Sequence, residues 1–318
     1  MIEIRINEND GGQRLDRFLR KYLPGSPLSL VYKMIRKDVK VNGKRCPKET
    51  MLEAGDVIAL YIPEEKLAEL GRKKRAAHAR KTFGVAYEDS DVLIAEKPYG
   101  ILTHGDSKEK KNTLANQVTG YLAGEGAFDP AAENTFVPAP LNRLDRNTTG
   151  LVLFAKNAPA ARKISGMLRS KEGVRKIYRA VCCRRIEEEL VLDAALEKNE
   201  EKNIVKLSGG DGAKRSVTIV RPLKHSRAGE YTLVEAELVT GRTHQIRVHL
   251  SGAGHPLIGD QKYGDVKVNA YFKKKYGLTS QLLHAERLEF AGDAEILPGK
   301  SVRARTPKMF REIEKDLF

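Results

Sequence analysis

Between Pro63 and Lys81 the chain reads EEKLAELGRKKRAAHAR, rich in charge and alanine and almost without large apolar residues. Such a stretch contributes little to a packed core, so it reads as a basic linker over 64–81. It splits the chain into two folding units, residues 1–63 and 82–318. With 318 residues, 41% of them apolar, there is material for a core on each side. The 57 Lys and Arg against 42 Asp and Glu leave a formal charge of +15, which favours polyanionic partners, nucleic acid first among them. Residues 1–81 carry 19 Lys/Arg against 11 Asp/Glu, so +8 of that charge lies in about a quarter of the length, with Arg72, Lys73, Lys74 and Arg75 clustered in the linker and expected to add phosphate contacts. Cys46, Cys182 and Cys183 match neither a disulfide framework nor a zinc knuckle, which fits a reducing compartment. The N-terminal MIEIRINEND lacks the apolar core of a signal peptide, and no run approaches the roughly 20 apolar residues of a membrane helix. The expectation is a cytoplasmic protein without a membrane span.

In the first unit Leu15, Phe18, Leu19, Tyr22 and Leu23 recur at helical spacing, with Asp16 placed to complement the helix N-terminus. A second helix is expected to start at Ser26-Pro27 or Ser29, with Val31, Met34 and Ile35 on one face and Lys33, Arg36 and Lys37 largely on the other. VKVNGKR then alternates into an Asn42-Gly43 turn, a strong hairpin signal, and GDVIALYI supplies another strand. Beyond residue 82 come short apolar runs, DVLIAEKP, LVLFAK, IYRAVCC, AKRSVTIV and YTLVEAELV, with helical patterns such as APAARKISGMLRS between them. This predicts an α+β chain: a small α/β unit followed by a mixed α/β domain around a largely antiparallel sheet.

One tetrapeptide occurs twice. RLDR at 14–17 opens a helix, whereas RLDR at 143–146 lies in NRLDRNTTG, just ahead of the buried-looking strand Leu151 to Ala155. Their flanks are unrelated, so the echo is coincidence. Taken alone, Asp145 is a loop carboxylate that Arg143 or Arg146 could neutralise for about 0–1 kcal/mol. Its context changes that reading. AEKPYGILTH (95–104), NRLDRNTTGLVLFAK (142–156), RKIYRAV (175–181), LVTGRTHQIRVHLSGAGHPLIGD (238–260) and LLHAERLEF (282–290) follow in that order. Together they resemble the RluA-type pseudouridine synthases across nearly all of 82–290. RLDRFLRKYL, a serine-started helix, VKVNG and LEAGDVI, over about residues 12–62, resemble an S4 RNA-binding domain. The pairing is similar to that of bacterial enzymes that modify large-subunit ribosomal RNA. Three positions depart from the two families: Leu30 where arginine is frequent, Asp38 where glycine is usual, and Asn142 where histidine is usual.

The resemblance implies conversion of uridine to pseudouridine without metal or cofactor: the N1 glycosidic bond breaks, the base rotates, and C5 joins the same ribose carbon. A carboxylate suits this reaction, either attacking the anomeric carbon or removing a ribose proton. An ordinary aspartate, with a pKa of about 3.9, is ionised at neutral pH, and a guanidinium would oppose the upward push of burial. The implied catalytic set is Asp145, with Arg247 as its partner, and Tyr178, which stacks on the uracil and could act as or position the base for the C5 proton. A tyrosine with a pKa of about 10 is a poor base at pH 7. Arg247 lies in HQIRVHL, read as a short helix capped by Thr243 and ended by Gly252. Substrate contacts are implied for Arg143, Arg242, Thr149, His244 and Gln245, with Arg143 near the space left by a flipped nucleotide. RNA contacts on the first unit are implied for Arg14, Ser29, Lys33, Arg36, Lys37, Lys44 and Arg45. The expected partners are RNA, ribosomal RNA or pre-ribosomal particles in particular, with the protein itself a monomer. His244, His249 and His255 have no standard zinc spacing, and GGDG at 209–212 lacks the Lys-Ser/Thr of a phosphate loop and reads as a turn.

Two other functions fit parts of the sequence. An S4-like unit and a basic surface suffice for a non-catalytic RNA-binding or ribosome-assembly factor, in which Asp145 would be dispensable. A glycosidic-bond hydrolase would need two carboxylates, and the matched motifs are expected to offer only one.

Overall fold

The computed structural model describes residues 1–71, 79–199 and 204–318. Arg72, Lys73, Lys74 and Arg75 therefore lie outside the described residues.

The chain opens with strand β1 (Ile2–Arg5), the short β2 (Gln13–Arg14), and helices α1 (Leu15–Tyr22) and α2 (Leu28–Lys37). Strands β3 (Val39–Val41), β4 (Met51–Leu52) and β5 (Val57–Leu60) and helix α3 (Glu64–Leu70) follow. Leu15, Phe18, Leu19 and Leu23 are fully buried, and Val31, Met34 and Ile35 of α2 meet them, as the spacing predicts. Asp16 is in the first turn of α1, but it also takes a forked pair of hydrogen bonds from Arg14 at 2.9 and 3.1 Å. The Asn42-Gly43 turn is present, with φ of 50° and 76°. It does not produce a two-stranded hairpin, because β3 pairs with β5 in the antiparallel order β1-β5-β3 and only Val41 and Lys44 bridge across the turn. Instead Asn42 bonds to Val57 N–H and to Asp56, tying the turn to β5. The segment read as linker also differs: its first seven residues are α3, whose Leu67 and Leu70, three apart and so on one face, close the N-terminal core.

The larger unit runs β6 (Gly84–Glu88), β7 (Val92–Lys97), α4 (Leu114–Gly124), β8 (Thr149–Ala155), α5 (Ala158–Ser170) and β9 (Val174–Cys183). It continues with β10 (Leu190–Asn199), β11 (Ile204–Leu207), β12 (Lys214–His225), β13 (Tyr231–Leu238) and α6 (Gln245–Gly252). Helix α7 (Val266–Tyr276), strands β14 (Leu283–Phe290) and β15 (Ser301–Arg303), and α8 (Lys308–Leu317) complete it. Among the described residues these strands form one sheet in the order β11-β10-β12-β13-β9-β14-β8-β7-β6, with β15 beside β14. Every pairing is antiparallel except β8 with β14. The apolar runs are continuous rather than alternating because both faces are covered. Leu93, Ala95, Val152 and Phe154 face α4 and α6, whereas Val92, Ile94, Leu151 and Leu153 face α5. The GGDG run is the turn between β11 and β12. No helix among the described residues is long and apolar enough to cross a membrane.

Candidate active site

The connection from α4 to β8 carries NRLDRNTTG, and nearly every residue of that motif is fastened. Asn142 accepts from Leu153 N–H at 2.8 Å and donates to Leu151 C=O at 3.3 Å, so its amide pairs with β8 as another strand would. Thr103 Oγ1 donates to Leu144 C=O at 3.0 Å and accepts from Leu144 N–H at 3.2 Å. The Arg146 carbonyl accepts from Lys97 Nζ at 2.8 Å. After the loop, Gln281 donates to Thr148 Oγ1 at 3.2 Å, and Thr149 Oγ1 lies 2.8 Å from His284 Nδ1. Gly150 has φ of +113°, and a Cβ there would lie 2.1 Å from Ala285 O, so only glycine lets β8 approach β14 this closely. The hydroxyls and glycine of the motif thus set the loop, and Asp145 is the carboxylate it presents.

Arg247, on α6, donates from Nη1 to Asp145 Oδ2 at 2.9 Å. Its remaining donors, Nε and Nη2, bind the two oxygens of Asp260 at 2.7 and 2.9 Å. Asp260 is 1% exposed and also accepts from the Lys262 and Tyr263 N–H groups. Burial opposes its charge, but Arg247 and those N–H groups outweigh burial and hold the carboxyl below its usual range. Burial likewise opposes the charge on Arg247, and Asp260 and Asp145 raise its pKa above the ordinary arginine value. The guanidinium stays charged and fixed in plane, aimed at Asp145 from a rigid base. The expectation of a single carboxylate in the motifs therefore fails. Glu96, Asp260, Glu286 and Glu289 also lie in them, and Asp260 is spent on orienting Arg247 and hidden behind it.

Tyr178 projects from β9 into the same cleft and is 5% exposed. Burial, and then the negative charge of Asp145, push its phenol well above the ordinary tyrosine range. It stands protonated at neutral pH and presents an apolar ring and a hydroxyl donor to the cleft. His244 sits with Nε2 3.9 Å from Asp145 Oδ2 and Nδ1 2.9 Å from the Tyr263 hydroxyl. That hydroxyl accepts from Val205 N–H and can donate its own proton to Nδ1, the tautomer that leaves Nε2–H toward Asp145. Burial, only partly offset by Asp145, lowers the His244 pKa to about 4. Lys97 is 1% exposed and donates to the carbonyls of Pro98, Ile101 and Arg146 at 2.8–3.0 Å, while burial lowers its pKa to about 7. It clamps the Asp145 loop from behind.

The cleft has a volume of about 650 Å³. Asp145 and Asp106 are the acids among its lining residues, against Arg143, Arg146, Lys176, Arg242, Arg247 and Lys262 among its cations. Arg143 and Arg242, for which the resemblance implies substrate contacts, are exposed along it. Three expectations are corrected. Thr149 does not line the cleft, because its hydroxyl is turned to His284. Gln245 is 2% exposed with its amide fully committed, accepting from Thr240 and Arg242 N–H and donating to Val217 C=O and Thr218, so it secures α6 and has nothing left for substrate. Finally, α6 is not capped by Thr243; His244 occupies the cap with φ of 53° and makes no side-chain cap bond. On the N-terminal unit Ser29, Lys33, Arg36, Lys37, Lys44 and Arg45 are exposed, whereas Arg14 is committed to Asp16. Sequence reasoning missed Lys97, Thr103, Asp260 and Tyr263, although all but Tyr263 fall within the quoted motifs.

Two buried histidines, His244 in the cleft and His284 against Thr149, are expected to make the fold acid-sensitive. His284, like His244, is lowered to about 4 by burial, from an ordinary 6.5. Between those values these two groups bind more protons in the unfolded chain than in the folded one, so their contribution to stability is fully present above pH 6.5 and is lost as pH falls toward 4. Urea unfolding across that window is expected to show a loss of about 2–3 kcal/mol per histidine, and His284→Gln is expected to flatten the dependence.

A family model described as RNA pseudouridylate synthase matches residues 91–252. A Vibrio cholerae protein named Ribosomal large subunit pseudouridine synthase C is 37% identical over 298 residues, covering 92% of this chain and 89% of that protein. The Escherichia coli protein of the same name is 36% identical over 306 residues, covering 92% of this chain and 90% of that protein. Human RNA Pseudouridylate Synthase Domain Containing 1 superposes with a TM-score of 0.53 at 25% identity, over 71% of this chain and 84% of that one. Matched over half its length by the family model and along most of its length by these relatives, the chain belongs to the RNA pseudouridylate synthase family.

Proposed function

We propose that this enzyme converts specific uridines of large-subunit ribosomal RNA to pseudouridine in the cytoplasm, as a monomer and without a cofactor. The observation that carries the reading is the Asp145–Arg247 pair, 2.9 Å apart in a cation-lined cleft. A cleft of this volume holds a nucleotide flipped from its stack, at an unstacking cost of a few kcal/mol. The Asp145 carboxylate meets the ribose and either attacks the anomeric carbon or removes a ribose proton. Arg247 fixes its direction, the Tyr178 ring offers a face to uracil, and Arg143 suits the space vacated by the flipped nucleotide. The large-subunit target rests on the names of the relatives. A glycosidase reading is disfavoured because the other carboxylates near Asp145 are committed, Asp260 to Arg247, and Asp106 to the Lys108 and Glu109 N–H groups and Arg146, which hold it ionised and so unsuited to act as an acid.

We assign residues 1–63 as an S4-type RNA-binding domain, extended to Leu70 by α3. Support comes from the basic face of α2 and from its separate apolar core. Replacing Lys33, Arg36 and Lys37 together by glutamine is expected to weaken RNA binding and lower the salt slope by about 2–3, the counterion release of three phosphate contacts. An unchanged slope would remove α2 from the interface. The function itself is tested by incubating the protein with large-subunit, small-subunit and transfer RNA transcripts and separating the digested nucleosides chromatographically. Pseudouridine in the large-subunit transcript is the expected product. RNA binding without pseudouridine in any transcript would favour the binding-factor reading.

A further inference from the structure

The N-terminal unit is docked on the catalytic domain as well as tethered to it. Asp10, in the NENDGG run ahead of α1, is 0% exposed, and both of its carboxylate oxygens are bonded across the junction. Oδ1 accepts from Thr135 Oγ1 and Oδ2 from Asn134 Nδ2, each at 2.7 Å. Asn9 completes the contact on two sides, donating to Glu133 at 2.6 Å and accepting from Ala158 N–H at the start of α5 at 2.8 Å. Arg162 of α5 donates to Gly11 C=O at 3.0 Å. The apolar clusters of the two units share no residue, so this docking is polar and directional.

A polar junction without a shared core ordinarily allows the units to move. A buried carboxylate is tolerated only where both oxygens are satisfied, and that happens in one relative orientation. The position of the latch partners matters as well. Glu133, Asn134 and Thr135 lie on the same α4-to-β8 connection that carries Asp145, and α5 follows β8 directly. The basic face of α2 is therefore referenced to the catalytic carboxylate through a short, fastened stretch of chain.

We infer that Asp10 is a positioning residue that latches the N-terminal unit in one orientation, and that this orientation selects which uridine of a large RNA reaches Asp145. The inference rests on the proposed function. An RNA held at both surfaces gains from their fixed separation, whereas a short single-stranded RNA touches only the cleft and gains nothing.

The test compares wild type with Thr135→Val, which removes the hydroxyl but keeps its shape, with Asp10→Asn, and with Thr135→Ser as the conservative rescue. Thr135→Val is expected to raise KM for full-length large-subunit transcripts by about tenfold or more while kcat on short uridine-containing RNA stays within about twofold. New modified positions are expected in the long transcript, and Thr135→Ser restores the wild-type pattern. An unchanged KM and an unchanged modification pattern in Thr135→Val and Asp10→Asn would overturn the inference. Amide hydrogen exchange of residues 9–13 and 133–135 reads the latch without any activity. If the wild type makes no pseudouridine in any RNA, the functional reading fails and exchange alone decides: protection lost in Thr135→Val upholds the docked orientation, and protection unchanged refutes it.

Discussion

Asp145→Asn is expected to lower kcat by about 10⁴-fold or more, because it removes the group that meets the ribose and leaves nothing of comparable nucleophilicity or basicity. Its other effects should be small. The amide is nearly isosteric, its oxygen can still accept from Arg247 Nη1, and Asp260 keeps the remaining guanidinium donors occupied. RNA affinity is expected to stay within about threefold, since phosphate contacts supply most of it. A variant that binds but does not convert separates the enzyme from a binding factor.

Asp260→Asn is the second large effect, and it acts on both fold and rate. The side chains of Asp260 and Arg247 are 1% and 6% exposed. Removing one charge of this buried pair leaves the Arg247 guanidinium with only the more exposed Asp145 as counter-charge, at a cost of about 3 kcal/mol. An asparagine can keep one of the two hydrogen bonds from Arg247 but not both, so the guanidinium loses its fixed plane. The urea midpoint of Asp260→Asn should fall accordingly, and kcat should drop by about 10²-fold with KM nearly unchanged, because orientation at the reacting centre is lost while RNA contacts are not. Wild-type stability and kcat in Asp260→Asn would show that Arg247 needs no support from behind.

These two residues also show what the sequence could and could not disclose. Asp145 and Arg247 are 102 positions apart, and no periodicity joins them. They were legible as a pair only through the ordered motifs around them. Asp260 closes one of those motifs, but a carboxylate whose task is to orient an arginine looks no different in sequence from any loop aspartate. Lys97 ends an apolar strand where a lysine normally surfaces into water. It is buried because three turn carbonyls need a donor there. Helix α6 misled for a related reason: Gln245 through Leu250 are all buried, so no polar face marks which side chains meet substrate. The resemblance implies a substrate contact for Gln245, whereas its amide is committed inward. Strand content and a largely antiparallel sheet were readable from the short apolar runs, and α1 and α2 from their spacing. The partner of β3 was not, since the Asn42-Gly43 turn is satisfied by β5 rather than by a strand after it.

The most direct measurement is tritium release from large-subunit ribosomal RNA transcripts labelled at uridine C5, run with wild type and Asp145→Asn side by side. Release by the wild type, abolished in the variant that still binds the RNA, is the predicted result: C5 loses its hydrogen only when the new carbon–carbon bond forms. Equal release by Asp145→Asn would contradict the assignment of Asp145.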